Sequence, residues 1–259
     1  MIQIRSTLML WIVIIIGVIH IAGFLYAFLR QSDRFTDVIY AFSFALVAGY
    51  GLAMGGTPGA FHWILAAMVI LWAVRLGIYL GIRIRLWGKD RRFDDFRKEW
   101  MRLARFWALQ FISIIVIALP VIFAMQEPDA GTAFWQGFGL VIFLAGFLVE
   151  TVADYQKFAF NRQEKNKGDF IRSGLWKYSR HPNYLGEWLV WTGIFLYCMT
   201  TFAGWQWIAV CSPAWIFILL RYISGGNLLE ASAKAKYGNR KEYQAYVERT
   251  GVFFPKIRL

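Results

Sequence analysis

Apolar residues run nearly unbroken for about twenty positions at a time, over 7–29, 38–56, 60–80, 107–125, 134–153, 184–203 and 205–223. Each run is near the ~20 residues that a helix needs to cross a hydrocarbon core of ~30 Å. The pattern predicts an all-α integral membrane protein of about seven transmembrane helices. The sixth and seventh runs are joined by a turn of a few residues around "TFAGWQ", which predicts an antiparallel hairpin. The first run is longer than a signal-peptide core and has no small-x-small cleavage site, so a retained helix is expected.

Composition agrees: 58% of the 259 residues are hydrophobic and 19% aromatic, against roughly 45–50% apolar in soluble domains. No repeat or low-complexity linker interrupts the chain, which reads as a single polytopic domain over 1–259. The formal charge of +12 raises the question of nucleic acid, and its distribution answers against it. No Lys or Arg occurs from Tyr50 to Val74, from Phe106 to Gln156 or from His181 to Leu220. The basic residues gather in 83–105, in 157–180 and in the tail after Arg221. By the positive-inside rule these face the cytosol, which puts the N-terminus outside and the C-terminus inside. Arg30 and Arg34 agree with that orientation; Arg5 opposes it. Short loops and a basic cytosolic face favour a bacterial inner membrane over the endoplasmic reticulum. Cys198 and Cys211 fall within spans and read as small hydrophobes. His20 and His62 are isolated, and no metal-ligand spacing is present.

The polar segments on the expected cytosolic side carry the candidate chemistry. Arg75 lies inside the third run, where a cation costs roughly 2.5–3.5 kcal/mol unless it snorkels or pairs. It shares a helix face with Tyr79 and Arg83 by the i, i+4, i+8 spacing. The fifth run ends on Glu150 and Asp154, two carboxylates one turn apart. Seven basic residues follow from Lys157 to Arg180, and then comes "SRHPNYLGE" at 179–187. A helix is expected to start there, with Ser179 as its cap, Pro182 in its first turn, and Asn183 and Glu187 on one face. Its N–H groups and dipole, with Arg172, Lys177 and Arg180 before them, make a candidate anion site. The alternative is a helix cap with a snorkelling basic collar. "GFGLVI" at 137–142 lacks the third glycine of a dinucleotide fingerprint and has no strand before it. Beyond the last run, Glu230, then Tyr243 and Tyr246, then Phe253, Phe254 and Pro255 read as an interfacial helix able to close over a cofactor.

"GLWKYSRHPNYLGE", with "ADYQKFAFNRQEKNKGDF" before it and "SGGNLLE" and "YQAYVERTGVFFP" after it, resembles the bacterial branch of the steroid 5-alpha-reductase C-terminal-domain family. "RFTDVIYAFSFAL" and "LWAVRLGIYLGIR" extend the resemblance to about 33–255. The wider superfamily includes membrane sterol reductases and isoprenylcysteine carboxyl methyltransferases. The resemblance implies a seven-helix reductase that uses NADPH to saturate a carbon–carbon double bond conjugated to a carbonyl, with the cofactor site formed mainly by 150–255. It assigns cofactor binding to Asp154, Asn183 and Glu187, then to Arg172, Tyr178 and Arg180. His181 and Tyr184 belong to the same motif, and Glu230, Tyr243 and Tyr246 to the closing tail. The Gln-Glu pair that the animal steroid enzymes carry in span two is missing here, which argues against a steroid.

The expected chemistry is hydride transfer to the carbon β to a carbonyl, while an acid or phenol stabilises the developing enolate. Asp37, Tyr40 and Tyr79 are the candidate catalytic groups, with membrane-interface anchoring as the alternative for the two tyrosines. The expected partner is a lipophilic small molecule entering from the membrane lipid. An S-adenosylmethionine-dependent membrane methyltransferase is the competing reading, because such enzymes share the "RHP-x-Y" helix start and a similar tail.

Overall fold

A computed structural model describes residues 2–32, 34–87, 99–128, 133–223 and 225–256, with side chains from residue 9 onward and Trp87 described by backbone alone. Most of the first basic loop and part of the "QEPDAGTAF" loop lie outside the described residues. Long helices carry the fold: α1 (Ile2–Arg30), α2 (Thr36–Met54), α3 (Ala60–Trp87), α4 (Trp100–Ala124), α5 (Ala133–Arg162) and α6 (Pro182–Cys198). Shorter α7 (Cys211–Ile218), α8 (Gly226–Tyr237) and α9 (Lys241–Arg249) follow. Among the described residues, the one β-type pairing outside these helices is an isolated parallel bridge between Ser179 and Gly251.

Among the described residues, six stretches are long and apolar enough to cross a membrane: Met9–Arg30, Thr36–Met54, Ala60–Leu86, Trp100–Ala124, Ala133–Arg162 and Gly204–Tyr237. The protein is therefore an integral membrane protein built of several apolar helices. The two expected C-terminal spans take a less regular form than the apolar runs imply. Helix α6 has 17 residues and gives way to a 3-10 turn at Met199–Thr201. Phe202 is then extended, and Gly204 has φ +54, a left-handed conformation that glycine adopts without strain. A second 3-10 segment, Gly204–Val210, leads into α7. Pro213 sits in the first turn of α7, where its missing N–H is tolerated.

The chain divides into two compact units: Met1–Gly137 with Ile194–Ser212, and Phe138–Gly193 with Pro213–Leu259. The first packs α1 to α4 around fully buried Ile16, Phe44, Leu65, Trp72, Ile114 and Ile117. Its buried polar side chains turn back onto helix carbonyls, Ser43 Oγ on Ile39 O at 2.8 Å and Ser212 Oγ on Ile117 O at 2.7 Å.

The second unit rests on a backbone-to-backbone seam between α5 and α6. A Cβ added at Gly193 would lie 2.4 Å from Phe143 N, and one at Gly146 2.6 Å from Val190 N. At Gly186 the nearest atom is Glu150 N at 2.5 Å. Glycines let helix backbones meet where lipid offers no hydrophobic drive for association. The seam sets the carboxylate end of α5 beside the start of α6.

Candidate functional site

The start of α6 is held by the chain's own C-terminal segment. Arg180 N–H donates to Gly251 O at 2.9 Å and His181 N–H to Val252 O at 3.1 Å. Ser179 Oγ accepts from His181 N–H at 3.2 Å and donates to Val252 O at 3.1 Å. Tyr184 N–H closes back on His181 O. The expected anion site at this helix end is accordingly revised: the flanking N–H groups face carbonyls 251 and 252. Such donors need partners wherever water is scarce. Helix α6 does begin at Pro182 as the sequence predicts, whereas Ser179 does not cap it: its Oγ accepts from His181 N–H, ahead of the helix, and not from a first-turn N–H.

Side chains then build two polar clusters in the second unit. In one, Asn183 Nδ2 donates to Asp154 Oδ1 at 3.1 Å, with Asp154 only 5% exposed. Asn183 Oδ1 is buried with no hydrogen-bond partner. Glu187, half-buried, lies one turn further along α6. In the other, Glu230 of α8 receives Arg180 Nη2 on one oxygen at 3.0 Å and His181 Nε2 on the other at 2.9 Å. Burial pushes the His181 pKa below its ordinary value, and the bond to Glu230 opposes this only in part. The imidazole is thus neutral near pH 7, its proton sits on Nε2, and Nδ1 keeps a lone pair. That Nδ1 and the Nε–H of Arg180 are buried without hydrogen-bond partners. An unsatisfied buried polar atom costs about 1–3 kcal/mol.

The second cluster lines a cavity of ≈ 290 Å³. Its walls include Phe170, Trp176, Tyr243 and Tyr246, with Lys157, Arg180 and Lys236 as cations and Asp169 and Glu230 as carboxylates. Phe170 anchors the aromatic wall, with ring centroids 5.1 Å from Tyr243 and 5.4 Å from Tyr246. Tyr246 OH donates to Trp176 O at 2.7 Å. Burial raises the pKa of Tyr243 and Tyr246 above the usual phenol range, so both stay neutral donors.

Arg180, His181, Glu230, Tyr243 and Tyr246 are therefore brought together, and Asp154 meets Asn183. Tyr184 stacks on His181, ring centroids 5.3 Å apart. Arg172 and Tyr178 are not gathered in: Arg172 is exposed with its guanidinium over Phe170, and Tyr178 is 58% exposed. The catalytic candidates all belong to the first unit. Asp37 pairs with Arg83 at 3.2 Å, Tyr40 packs edge-on against Phe44, and Tyr79 lies under the Arg75 guanidinium. Sequence reasoning missed Phe170 and Trp176. Their signal was available, since each is a large apolar residue inside a charged loop, yet buried. It also missed Gln156, whose Oε1 accepts Leu175 N–H at 2.9 Å and pins that loop to α5.

Comparisons with known proteins set this geometry in a family. An uncharacterized protein of Schizosaccharomyces pombe is 24% identical over 229 residues, which cover 75% of this chain; the chain spans 63% of that relative's length. No solved structure matches. Residues 23–250 match the family described as a protein of unknown function, DUF1295, and the chain belongs to that family.

Proposed function

We propose that this protein is a membrane reductase that uses NADPH to saturate the conjugated double bond of a lipophilic enone, steroid-like or another isoprenoid or lipid. The observation that carries the reading is the convergence of Arg180, His181, Glu230, Tyr243 and Tyr246 on one aromatic-walled cavity, with Asn183, the partner of Asp154, two residues along the chain from His181. Family membership supports it, since the family is associated with steroid 5-alpha-reductase-like proteins. In this reading the protein has seven spans, a cytosolic cofactor face and a bacterial inner membrane as its home.

NADPH supplies the hydride in such chemistry. The chain supplies the rest. Neutral His181 and the Asn183 amide offer hydrogen bonds that orient a cofactor, and Lys157 and Lys236 offer charge for phosphate oxygens. In the first unit, Asp37, Tyr40 or Tyr79 is the group that hydrogen-bonds the substrate carbonyl and steadies the enolate.

One observation favours the methyltransferase reading. The cavity wall carries three cations, Lys157, Arg180 and Lys236, against two carboxylates, Asp169 and Glu230. Glu230 is ion-paired to Arg180, so the surplus is smaller than the basic loop alone implies. A zwitterionic donor such as S-adenosylmethionine suits so balanced a wall. The deciding experiment incubates detergent-purified protein with cholest-4-en-3-one or an acyclic isoprenoid enone, once with NADPH and once with labelled S-adenosylmethionine. Loss of NADPH absorbance with a product two mass units heavier is the expected result. Label transfer to lipid without NADPH binding overturns it.

A further inference from the structure

Two helices supply the polar rim of the ≈ 290 Å³ cavity: α5 contributes Lys157 and Asn161, and α8 contributes Ser232 and Lys236. Each pair is spaced i, i+4, so its two side chains share one helix face. Asn161, Ser232 and Lys236 are exposed and Lys157 is half-buried, whereas Trp176, His181 and Tyr243 on the same cavity are buried. The cavity therefore combines a buried aromatic floor with an outer rim of ammonium, amide and hydroxyl groups. Charge gathers on that rim. Of the carboxylates on the wall, Glu230 pairs with Arg180 at 3.0 Å, and Asp169 pairs at 3.0 Å with Arg240, which lies outside the lining. Once Arg240 is counted, four cations (Lys157, Arg180, Lys236, Arg240) meet two carboxylates, and the two lysines carry the excess. Lys157 Nζ sits 4.8 Å over the Trp176 ring and Lys236 Nζ 5.0 Å over the Tyr237 ring, and both rings line the cavity. A ring contact steadies the long stem without exhausting an ammonium that has three N–H donors.

We infer that this rim is a clamp for a phosphate monoester, held by Lys157 and Asn161 from α5 and by Ser232 and Lys236 from α8. A phosphate monoester carries a charge of about −1.5 to −2 and three acceptor oxygens. Two ammonium groups, an amide N–H and a hydroxyl complement it. A phosphodiester, with a single charge and fewer free oxygens, uses the rim less fully. Position agrees, since a group held by exposed residues is an end or a branch of its ligand, and the body of the ligand then reaches toward the buried rings. The inference rests on reading the second unit as a nucleotide-cofactor site, where the monoester is the 2′-phosphate of NADPH, and it deepens that reading by naming the side chains that tell NADPH from NADH. The headgroup of phosphatidic acid has the same chemistry, so the experiment carries an arm for each source.

The purified full-length protein is titrated at moderate salt with NADPH and with NADH, and separately with detergent micelles doped with phosphatidic acid or with diacylglycerol. Wild type should bind NADPH more tightly than NADH by about tenfold or more, the scale of charge-assisted hydrogen bonds. Lys157→Met and Lys236→Met should each bring that ratio to about threefold or less. Lys234→Met removes the same charge from the same helix, at an exposed position outside the cavity lining, and should leave the ratio as in wild type. Lys236 is itself exposed, so Lys236→Met tests the clamp even where Lys157→Met fails to fold. Binding of both nucleotides with equal affinity overturns the clamp and leaves the cofactor reading standing. An equal loss of preference in Lys234→Met and Lys236→Met also overturns it, because the effect is then one of general surface charge. If neither nucleotide binds, the cofactor reading falls and the lipid arm decides the clamp. A preference for phosphatidic acid over diacylglycerol that Lys236→Met abolishes and Lys234→Met does not keeps the clamp, with a lipid phosphate as its occupant; any other lipid result overturns it.

Discussion

The two units use buried polarity in opposite ways. In the first, the buried polar side chains include His20, Thr36, Ser43, His62, Ser113 and Ser212, all small or neutral. Where their bonds are resolved they close on main-chain atoms, as His20 Nδ1 does on Ile16 O at 2.8 Å. The second unit buries two carboxylates, Glu150 and Asp154, together with His181, and its polar groups bond one another across different elements. Polar groups that turn back on their own helix satisfy a membrane's demand for internal hydrogen bonding. Charged groups that converge from α5, α6 and α8 are costly to bury unless they are paired or bind something. The contrast concentrates buried charge in the second unit, where the proposed cofactor contacts lie.

The largest test of the contrast is at the seam that aligns the second unit. Gly193→Val should abolish the folded protein, since its first side-chain atom meets Phe143 N at 2.4 Å and overpacking against backbone costs about 3 kcal/mol or more. Gly81→Val in the first unit, with nothing within 4 Å of the added Cβ, should express and elute as wild type apart from the ~0.5–1 kcal/mol scale of propensity effects. Size-exclusion profiles in mild detergent read both. Equal behaviour of the two would remove the seam as the organiser of the site.

The next test compares ion pairs. Glu230→Ala strips Arg180 and His181 of a shared partner while their side chains are only 12% and 7% exposed. Breaking a buried pair costs about 3–5 kcal/mol, and the 25% exposure of Glu230 itself places the expected loss near or below the lower end, about 2–3 kcal/mol. Asp37→Ala leaves Arg83, which is 30% exposed, so a loss of about 0–1 kcal/mol is expected. Thermal unfolding in one detergent ranks them. A larger loss from Asp37→Ala would reverse the comparison.

A smaller effect belongs to cofactor affinity. Asn183→Ala and Asp154→Asn should each weaken NADPH binding about tenfold, the scale of one hydrogen bond involving a charged group, while shifting unfolding little. Tyr40→Phe in the first unit should leave that affinity unchanged, whatever it does to turnover. Titration of the variants checks both halves. Intact affinity in Asn183→Ala and Asp154→Asn would reduce the polar start of α6 to a helix cap.

Most of the helical plan was legible because each apolar run is long and its polar breaks are sharp; the expected starts of α2, α3 and α5 lie within two residues of those observed. The last two spans were less legible, because Phe202 and Gly204 impose backbone geometry that composition does not reveal. Family likeness picked out Asp154 and Asn183 separately, and the bond between them, which joins two helices, had no signature in helix spacing. The C-terminal segment on Arg180 and His181 could not, since those bonds join main-chain atoms about seventy residues apart and carry no side-chain signature. Phe170 and Trp176 were legible as large apolar residues inside a charged loop, but not as the wall of a cavity, which depends on residues far along the chain.

The smallest expected effect is pH dependence, and it separates the units by a single imidazole. The folded His181 pKa lies below its ordinary 6.5, chiefly through burial. As pH falls through 6.5 the unfolded chain takes up the proton before the folded chain does, so stability should decline from there until the folded pKa is passed. Above pH 7 both states are neutral and the effect vanishes. One proton sets a ceiling of about 1.4 kcal/mol per pH unit on the slope. Glu230, Arg180 and Lys157 face the ring, and the imidazole is the group among them whose ordinary pKa lies inside this range. The measurement is unfolding temperature against pH from 8 to 5 for wild type and His181→Gln, taken as a difference so that His20 and His62 cancel. A difference that grows steadily less favourable to wild type below pH 6.5 is expected. A flat difference would mean that His181 protonates as readily in the folded protein as outside it, and that the lone pair assigned to Nδ1 is not held by burial.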